Sequence, residues 1–550
     1  MKILLIQPPV RDFYQTTIRT QPIGLAYLAA SLQKHGYEVE ILDCQKGTKK
    51  SVPIPAELSY LKALYPFDDR SPFKLYSGYY HFGMGWEEIR RKIEGSEADL
   101  FGISSNFTPY HGEALEIARI VKESDRRRIV VMGGAHVSCD PEGVLRNPFV
   151  DYVVLGEGEV RLPSLLNRLQ KGGVPRDIEG IGYRVNGEIR VNPLRTFIQD
   201  LDSLPHPSRE RLDLDRYRIG RKRSTMIITS RGCPHGCAYC STHLVMGTSF
   251  RTRSPDAIIQ EMIACRKQYD IRAFDIEDDN FTFDQERAKR LMRLIIETFG
   301  EENIELTAMN GISFASLDQE LLELMKRAGF RTINLSFVST DPSVKMMMHR
   351  PAAPHDFHEV LEMARKIGLS VIAYAIFGMP GQTIEEMVDT LIYLMEKRVL
   401  IGPSVYYPTP GTPLFEKCRK ERTLPSHPSQ WRSSALPIET DKFNRLDLLT
   451  LLRLVRVINF IKGKMDQEEL SEGMTWKALD QLLKAEAEAK DESVTWKDLL
   501  SLLLREKTFF SMKTDSKQKT SILKEASSGR VMDAFFERAW ETPVLKSRNA

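Results

Sequence analysis

Short apolar runs alternate with helical stretches twice along this chain, a pattern that points to parallel sheets covered by helices. The first series starts with the strand Lys2-Ile3-Leu4-Leu5-Ile6. A helix follows from Gly24 to Lys34, stopped at His35-Gly36, and then a second strand from Glu38 to Leu42. Further strands are expected at Leu100 to Ser104, Ile129 to Met132 and Tyr152 to Leu155, with helices at Gly112 to Glu123 and Pro141 to Arg146 between them. Residues 1–168 therefore read as a doubly wound, Rossmann-like α/β domain. The stretch 45–85, rich in Pro, Tyr and Ser, reads as a loop region inserted between its second and third strands.

A connector with Pro175, Pro193, Pro205 and Pro207 occupies 169–221. The second series then runs over 222–420. Strands are expected at Met226 to Thr229, Ala273 to Glu277, Ile304 to Met309, Thr332 to Phe337, Leu369 to Ile376 and Ser404 to Tyr407. Helices are expected near 255–267, 284–298, 318–328, 356–367 and 383–397. These steps predict a partial (β/α)6 barrel of the TIM type, since the full eightfold barrel takes about 250 residues. After 421 the strand signals stop. Helices are expected at 442–465, 475–490 and 494–506, with a polar, mobile end after 510, so 421–550 is read as a helical region.

Composition sets the outer limits. The 550 residues carry a formal net charge of only +3, too small an excess for a nucleic-acid partner bound through charge. With 42% hydrophobic and 27% charged residues the chain is globular rather than disordered. No run approaches the roughly 20 apolar residues of a bilayer span. The start, Met1 to Pro9, is broken by proline too early for a secretory signal, so a cytoplasmic location is expected. Seven cysteines in this length do not make a disulfide scaffold.

Three of those cysteines lie together in Thr229-Ser230-Arg231-Gly232-Cys233-Pro234-His235-Gly236-Cys237-Ala238-Tyr239-Cys240. The segment leaves an expected strand, which on a parallel barrel places it at the carboxyl face, where active sites lie. The spacing lets three thiolates converge on one iron–sulfur cluster, leaving one iron of a four-iron cube open to a small molecule. A zinc site completed by His235 or His243, or an accidental grouping of thiols, stays open on spacing alone.

Cys233, Cys237, Tyr239 and Cys240 match Cys-x-x-x-Cys-x-aromatic-Cys, and here the chain resembles the radical S-adenosylmethionine (SAM) superfamily. Further segments carry the resemblance over about 222–420. They are Arg231-Gly232, Pro234, Phe250 to Pro255, Asp278-Asp279-Asn280-Phe281, Asn310-Gly311 and Phe377-Gly378-Met379-Pro380-Gly381. The resemblance implies a [4Fe-4S] cluster on the three cysteines that chelates SAM and, once reduced, cleaves it to a 5′-deoxyadenosyl radical. Glu277, Asp278 and Asp279 offer acceptors for the SAM ammonium, and Asn310 and Ser336 polar contacts for its carboxylate or ribose, with Tyr239 beside the cluster. Against this, Asp278-Asp279-Asn280 also reads, as the less favoured alternative, as an N-cap group for the helix from Asp284, and Ser336 reads equally as an ordinary strand residue. Two departures stand out. Phe337-Val338-Ser339-Thr340 replaces a usual Glu-Ser-Gly, and Gln382 replaces the Glu of Pro-Gly-Glu-Thr.

The first domain resembles the cobalamin-binding domain that precedes the radical core in one large subgroup. The matching segments are Pro22 to Ala29, Asp99 to Ser104, Gly133-Gly134-Ala135-His136 and Gly156-Glu157-Gly158-Glu159. Glycines after parallel strands let a large flat ligand approach the backbone. Ser104, Ser105 and Thr108 can hydrogen-bond a nucleotide tail, and Ser104, Gly133, Gly134, His136, Gly156 and Glu157 are the candidate cobalamin residues. A nucleotide-binding or ligand-free domain is the alternative, although no Gly-x-Gly-x-x-Gly or phosphate loop occurs. The cobalt-ligating Asp-x-His-x-x-Gly is also absent. The nearest string, Asp356-Phe357-His358, falls on a barrel helix, so the cobalt is expected to lack a lower His ligand, and His136 reads better as a loop contact. Cys44 and Cys139 are too far apart for the second cluster of methylthiotransferases.

The implied chemistry is methylation of an unactivated carbon in a small-molecule, lipid or peptide substrate, through the deoxyadenosyl radical and methylcobalamin, with a second SAM restoring the methyl group. Oxidative cyclisation or rearrangement without methyl transfer is the alternative. The family resemblance also implies a one-electron reductant such as flavodoxin or ferredoxin. Leu448 to Lys462, apolar with basic residues, reads as a helix packed on the barrel in preference to one meeting a membrane surface. Tyr406, Tyr407 and the loop to Thr412 are expected on the substrate side.

Overall fold

The computed structural model describes residues 1–14, 21–300, 302–347, 349, 356–487, 494–514 and 520–546. Five parallel strands make the centre of the N-terminal sheet, in the spatial order Glu38–Asp43, Lys2–Gln7, Leu100–Ser104, Ile129–Gly133, Tyr152–Val154. Both faces are covered, as the apolar runs require. Ile3 and Leu5 pack with Leu25, Leu32 and Leu165 from the helices Ile23–Lys34 and Gly158–Gln170. Leu4 and Ile6 pack on the other side with Ile89, Ile117 and Val121 from Trp86–Glu94 and His111–Ser124. Because Lys2–Gln7 has Glu38–Asp43 on one side and Leu100–Ser104 on the other, the strand order reverses there. A crevice opens outside the carboxyl ends at such a point.

Two regions read as loop and connector are built into this frame. Strands Ile181–Val185 and Glu188–Val191, from the proline-bearing connector, extend the sheet antiparallel beyond Tyr152–Val154. The inserted stretch holds a 3-10 helix, Ala56–Ala63, and forms an antiparallel sheet in which Tyr80–Gly83 lies between Val10–Asp12 and Thr48–Ser51. Its aromatic residues are core rather than loop. The Phe13 and Tyr79 ring centroids are 4.8 Å apart, and Tyr65 is buried in the same apolar body as the barrel.

The second series folds as six parallel strands in chain order. Lys222–Ile227, Ala273–Ile276 and Glu305–Thr307 form one sheet, and Thr332–Val338, Ser370–Phe377 and Leu400–Val405 another. Parallel bridges Leu306↔Phe330 and Ile312↔Leu335 join the two, giving the partial barrel. The intervening helices are Pro255–Tyr269, Gln285–Phe299, Gln319–Ala328, Phe357–Ile367 and Ile384–Met395. They start at Ser254, Asp284, Asp318, Asp356 and Thr383, whose side chains each accept an amide hydrogen bond three residues on. Asp284 thus caps its helix without help from Asp278-Asp279-Asn280.

The C-terminal region departs from the all-helical expectation. Helices Arg445–Asp466, Trp476–Ala487 and Trp496–Glu506 are present, and the remainder of the expected 475–490 helix lies outside the described residues. After 510 the chain forms an antiparallel hairpin, Phe510–Thr514 with Thr520–Lys524, and a helix, Gly529–Ala539. Val531, Met532, Phe535 and Phe536 of that helix are buried, so this part is anchored where a polar tail was expected. Its buried residues recur at helical spacing, with Arg530, Asp533 and Arg538 on the other face, an amphipathic helix of eleven residues. Among the described residues no helix is long and apolar enough to cross a membrane.

Candidate active site

The carboxyl ends of both parallel sheets face one cavity of about 520 Å³. Ser104, Gly133, Gly134, Gly156 and Glu157 line it from the N-terminal sheet, and Glu277 and Asn310 from the barrel. Its shape depends on backbone that carries no side chain. Gly134 has φ +116°, and a Cβ there would stand 2.5 Å from Asn106 Oδ1 and 2.7 Å from the Ser105 carbonyl. Tyr27, from the Pro22 to Ala29 segment, also lines the cavity, and so do Gln7, Asn106 and Phe107, residues that no sequence motif singled out.

The cysteine loop hangs from the first barrel strand over this cavity. Gly232 has φ +84°, and a Cβ there would fall 2.3 Å from the Ser249 carbonyl, so the turn into Cys233 demands glycine. Three adjacent polar residues after the second barrel strand hold the loop. Asp278, wholly buried, accepts the Thr229 amide at 2.6 Å, the Ser230 hydroxyl at 2.7 Å and the Thr229 hydroxyl. Asp279 accepts the Gly232 amide at 3.0 Å and the Thr242 hydroxyl at 3.2 Å. Asn280 donates to the Cys233 sulfur at 3.6 Å. Cys237 is buried, while Cys233 and Cys240 are half-buried, and burial pushes the Cys233 thiol up. Bound thiolates would need a strongly cationic centre to offset that cost. Among the described residues no three His, Cys, Asp or Glu side chains are grouped for a metal ion. The Cys233 sulfur accepts from the His235 backbone amide as well as from Asn280, and such donors suit thiolates that bind the separate irons of a cluster. His243 Nδ1 is buried without a hydrogen-bond partner, and His235 packs edge-on against Phe283 with centroids 5.5 Å apart.

Glu277 is the barrel carboxylate left to the cavity. Asn310 donates to it at 2.8 Å, and burial, with like-charge repulsion from Asp275, raises its carboxyl to about 7. Ser336 and Tyr239 are half-buried and do not line the cavity. Ser336 stands against Gly311, where a Cβ would meet its hydroxyl at 2.7 Å. His136 is also off the wall. Its ring is buried 4.2 Å from that of His111, its Nδ1 pairs with the Thr108 hydroxyl at 3.1 Å, and burial lowers it to about 4. It therefore supports the loop from below as a neutral ring. Glu157 lines the cavity, but its carboxylate is engaged by Arg231 at 2.9 Å, Arg251 at 2.8 Å and the Ile198 amide at 2.7 Å. The two departures from family pattern have structural roles. Gln382, buried, accepts the Met379 amide at 2.8 Å, and Val338 sits at φ +75° beside a register shift in its strand. Tyr406 is buried and Tyr407 is 43% exposed, so of the pair only the second is free to meet a ligand.

Comparison with known proteins agrees with this arrangement. The family model described as the B12 binding domain matches residues 78–166, and that of the radical SAM superfamily residues 227–394. An uncharacterized methyltransferase, PH0819, of Pyrococcus horikoshii is 28% identical over 76% of this chain and 83% of its own length. Cytidylyl-2-hydroxyethylphosphonate methyltransferase of Streptomyces wedmorensis is 26% identical over 78% and 84%. The solved structure of the radical SAM methyltransferase TsrM from Kitasatospora setae, with cobalamin and a [4Fe-4S] cluster bound, matches with a TM-score of 0.58 at 20% identity, over 79% of this chain and 84% of that one, a likeness of fold. With both models matched in the order that the two sheets occupy, the chain carries a B12-binding domain ahead of a radical SAM domain, and these domains imply a [4Fe-4S] cluster, SAM and cobalamin as cofactors.

Proposed function

We propose that this enzyme methylates an unactivated carbon of a small molecule. The observation that carries the reading is the single cavity shared by the carboxyl ends of both sheets, because it lets two cofactors meet one substrate. When bound, the cluster and SAM supply a 5′-deoxyadenosyl radical and cobalamin supplies a transferable methyl group. Cys233, Cys237 and Cys240 hold the cluster, and the Asn280 amide tempers the charge on the Cys233 sulfur. Glu277 and Asn310 hold the polar end of SAM, with Asp279 fixing the loop at Gly232. Gly133, Gly134, Gly156 and Ser104, which line the cavity, would hold cobalamin. The mostly apolar remainder of the wall, including Leu5, Val131 and Ile228, keeps water from the reacting centre. In this reading residues 1–168 are the cobalamin domain, 169–221 a linker whose strands extend its sheet, 222–420 the radical core, and 421–550 a supporting region. A one-electron reductant supplies the cluster.

Cys240→Ala is expected to lose the iron–sulfur absorbance and all SAM cleavage after anaerobic reconstitution, read as deoxyadenosine by chromatography. Cleavage retained at more than about a tenth of the natural rate would reject the assignment. The methyl-transfer step is tested separately by product mass, where a gain of about 14 mass units on an extract-derived substrate supports it. Loss of hydrogen alone would instead mean an oxidative cyclase.

A further inference from the structure

The cysteine loop is closed at its base by a two-residue ribbon, Ser230–Arg231 paired antiparallel with Arg251–Thr252, in which Arg231 and Arg251 are direct partners. Like charges opposite one another push a strand pair apart. Here a carboxylate from the other domain stands between them. Glu157 accepts from Arg231 Nη1 at 2.9 Å and from Arg251 Nη1 at 2.8 Å, and Glu159 accepts from Arg231 Nη2 at 2.7 Å. All four side chains are at most 7% exposed, so water cannot replace any of these bonds. A third buried guanidinium, Arg161, donates to the Glu157 carbonyl at 2.8 Å, and both carboxylates are paired with cations, the condition under which buried charges are tolerated. Beyond the ion pairs, the Ile198 amide donates to Glu157 at 2.7 Å and Arg251 Nη2 donates to the Met246 carbonyl at 2.6 Å. The same segment, Gly156 to Glu159, is wall of the cofactor cavity, and so are Arg231, Val245 and Met246 of the loop.

We infer that Glu157, with Glu159 behind it, is a positioning residue that locks the cysteine loop to the cavity wall, so that cobalamin in the cavity and the cluster on the loop stabilise each other. This rests on the cofactor assignment proposed above. A ligand pressing on both Gly156–Glu159 and Val245–Met246 favours the closed ribbon, and a closed ribbon keeps the three thiols in place. By linkage the effect of one cofactor on the other's affinity must be equal in both directions, and couplings of this kind are commonly about 5- to 150-fold.

The full-length chain, reconstituted anaerobically with iron and sulfide, tests this with hydroxocobalamin as the probe. Two quantities are read: the rate of iron release to a ferrous chelator with and without hydroxocobalamin, and the hydroxocobalamin Kd with and without the cluster. In the natural chain hydroxocobalamin is expected to slow iron release, and the cluster to tighten hydroxocobalamin at least about fivefold. In Glu157→Gln, which keeps the shape and removes the charge, both ratios are expected to fall toward one while each cofactor still binds. Ratios unchanged in that variant, or a natural chain that binds hydroxocobalamin without protecting its iron, overturn the inference. A natural chain that binds no hydroxocobalamin sinks the cavity assignment itself, and this inference with it. If circular dichroism shows Glu157→Gln unfolded, Glu159→Gln, which leaves the Glu157 bonds to both arginines intact, gives the reading. Reduced ratios there support the lock, and unchanged ones reject it.

Discussion

Glu277 illustrates how one side chain's surroundings set its chemistry. Its carboxyl titrates near 7 in the folded chain, against an ordinary value of 4.5, because burial and then Asp275 disfavour the charged form. Between those two values the folded protein keeps a proton that the unfolded chain has already released. Stability therefore falls as pH rises through about 4.5 to 7, and above that window the cost is present in full. Glu277→Gln is expected to abolish this part of the decline, so that the variant gains on the natural chain between pH 5 and pH 8 in denaturant unfolding of the cofactor-free protein. An unchanged pH profile would show that the carboxyl is not held neutral. Its neighbours show the limit of reading residues one at a time. Asp278, Asp279 and Asn280 are a run of three polar residues in the sequence, yet they turn to Thr229, Gly232 and Cys233 respectively. Residue type announced their polarity, but the path of the loop backbone decided which of them faced inward.

At the scale of elements, the helix Arg445–Asp466 carries its weight through packing and through one buried cation. Leu448, Leu451, Leu454, Val455, Val457, Ile458 and Ile461 are all fully buried, while Lys462 is 6% exposed and, among the described residues, bonds to carbonyls where a carboxylate would be the usual partner. Its ammonium instead donates to the carbonyls of Leu394 and Lys397 at 2.8 Å and of Val399 at 3.0 Å, where the helix Ile384–Met395 ends and the chain turns into the last barrel strand. The Leu394 and Lys397 carbonyls also accept the Lys397 and Val399 amides, at 3.3 and 2.8 Å, so the lysine adds to backbone bonds at this helix end. Lys462→Met keeps the length of the side chain and removes the donor, at a cost of roughly 1–3 kcal/mol, the range for a buried group that loses its hydrogen bond. Hydrogen exchange in Ile384–Met395 is expected to speed up accordingly, and exchange within twofold of the natural rate would deny the lysine this role. The periodicity of Leu448 to Lys462 made the helix and its buried face legible. That the lysine at its end points inward was not, because its partners lie more than sixty residues away in the chain.

For the whole molecule, burial of that helix bears on membrane contact. A surface helix needs its apolar face free, and here that face belongs to the same core as the barrel, the aromatic insert and the helix Gly529–Ala539. Flotation with anionic phospholipid vesicles is expected to leave the protein in the aqueous fraction at physiological ionic strength, whereas substantial flotation would require the helix to leave its core. The sequence alone determined the two parallel α/β units, the beginnings of their helices and the three-cysteine motif. Strand and helix periodicity and ligand spacing are local properties, written within a few residues. Only the tertiary structure decided that Glu157 would bind Arg231 and Arg251 instead of a ligand. It likewise joined the stretch 45–85 to the barrel core and turned the two sheets' carboxyl ends to one cavity. Each of these is a pairing across long stretches of chain, and buried charge and apolar surface choose such partners by what packing brings within reach, which no local pattern encodes.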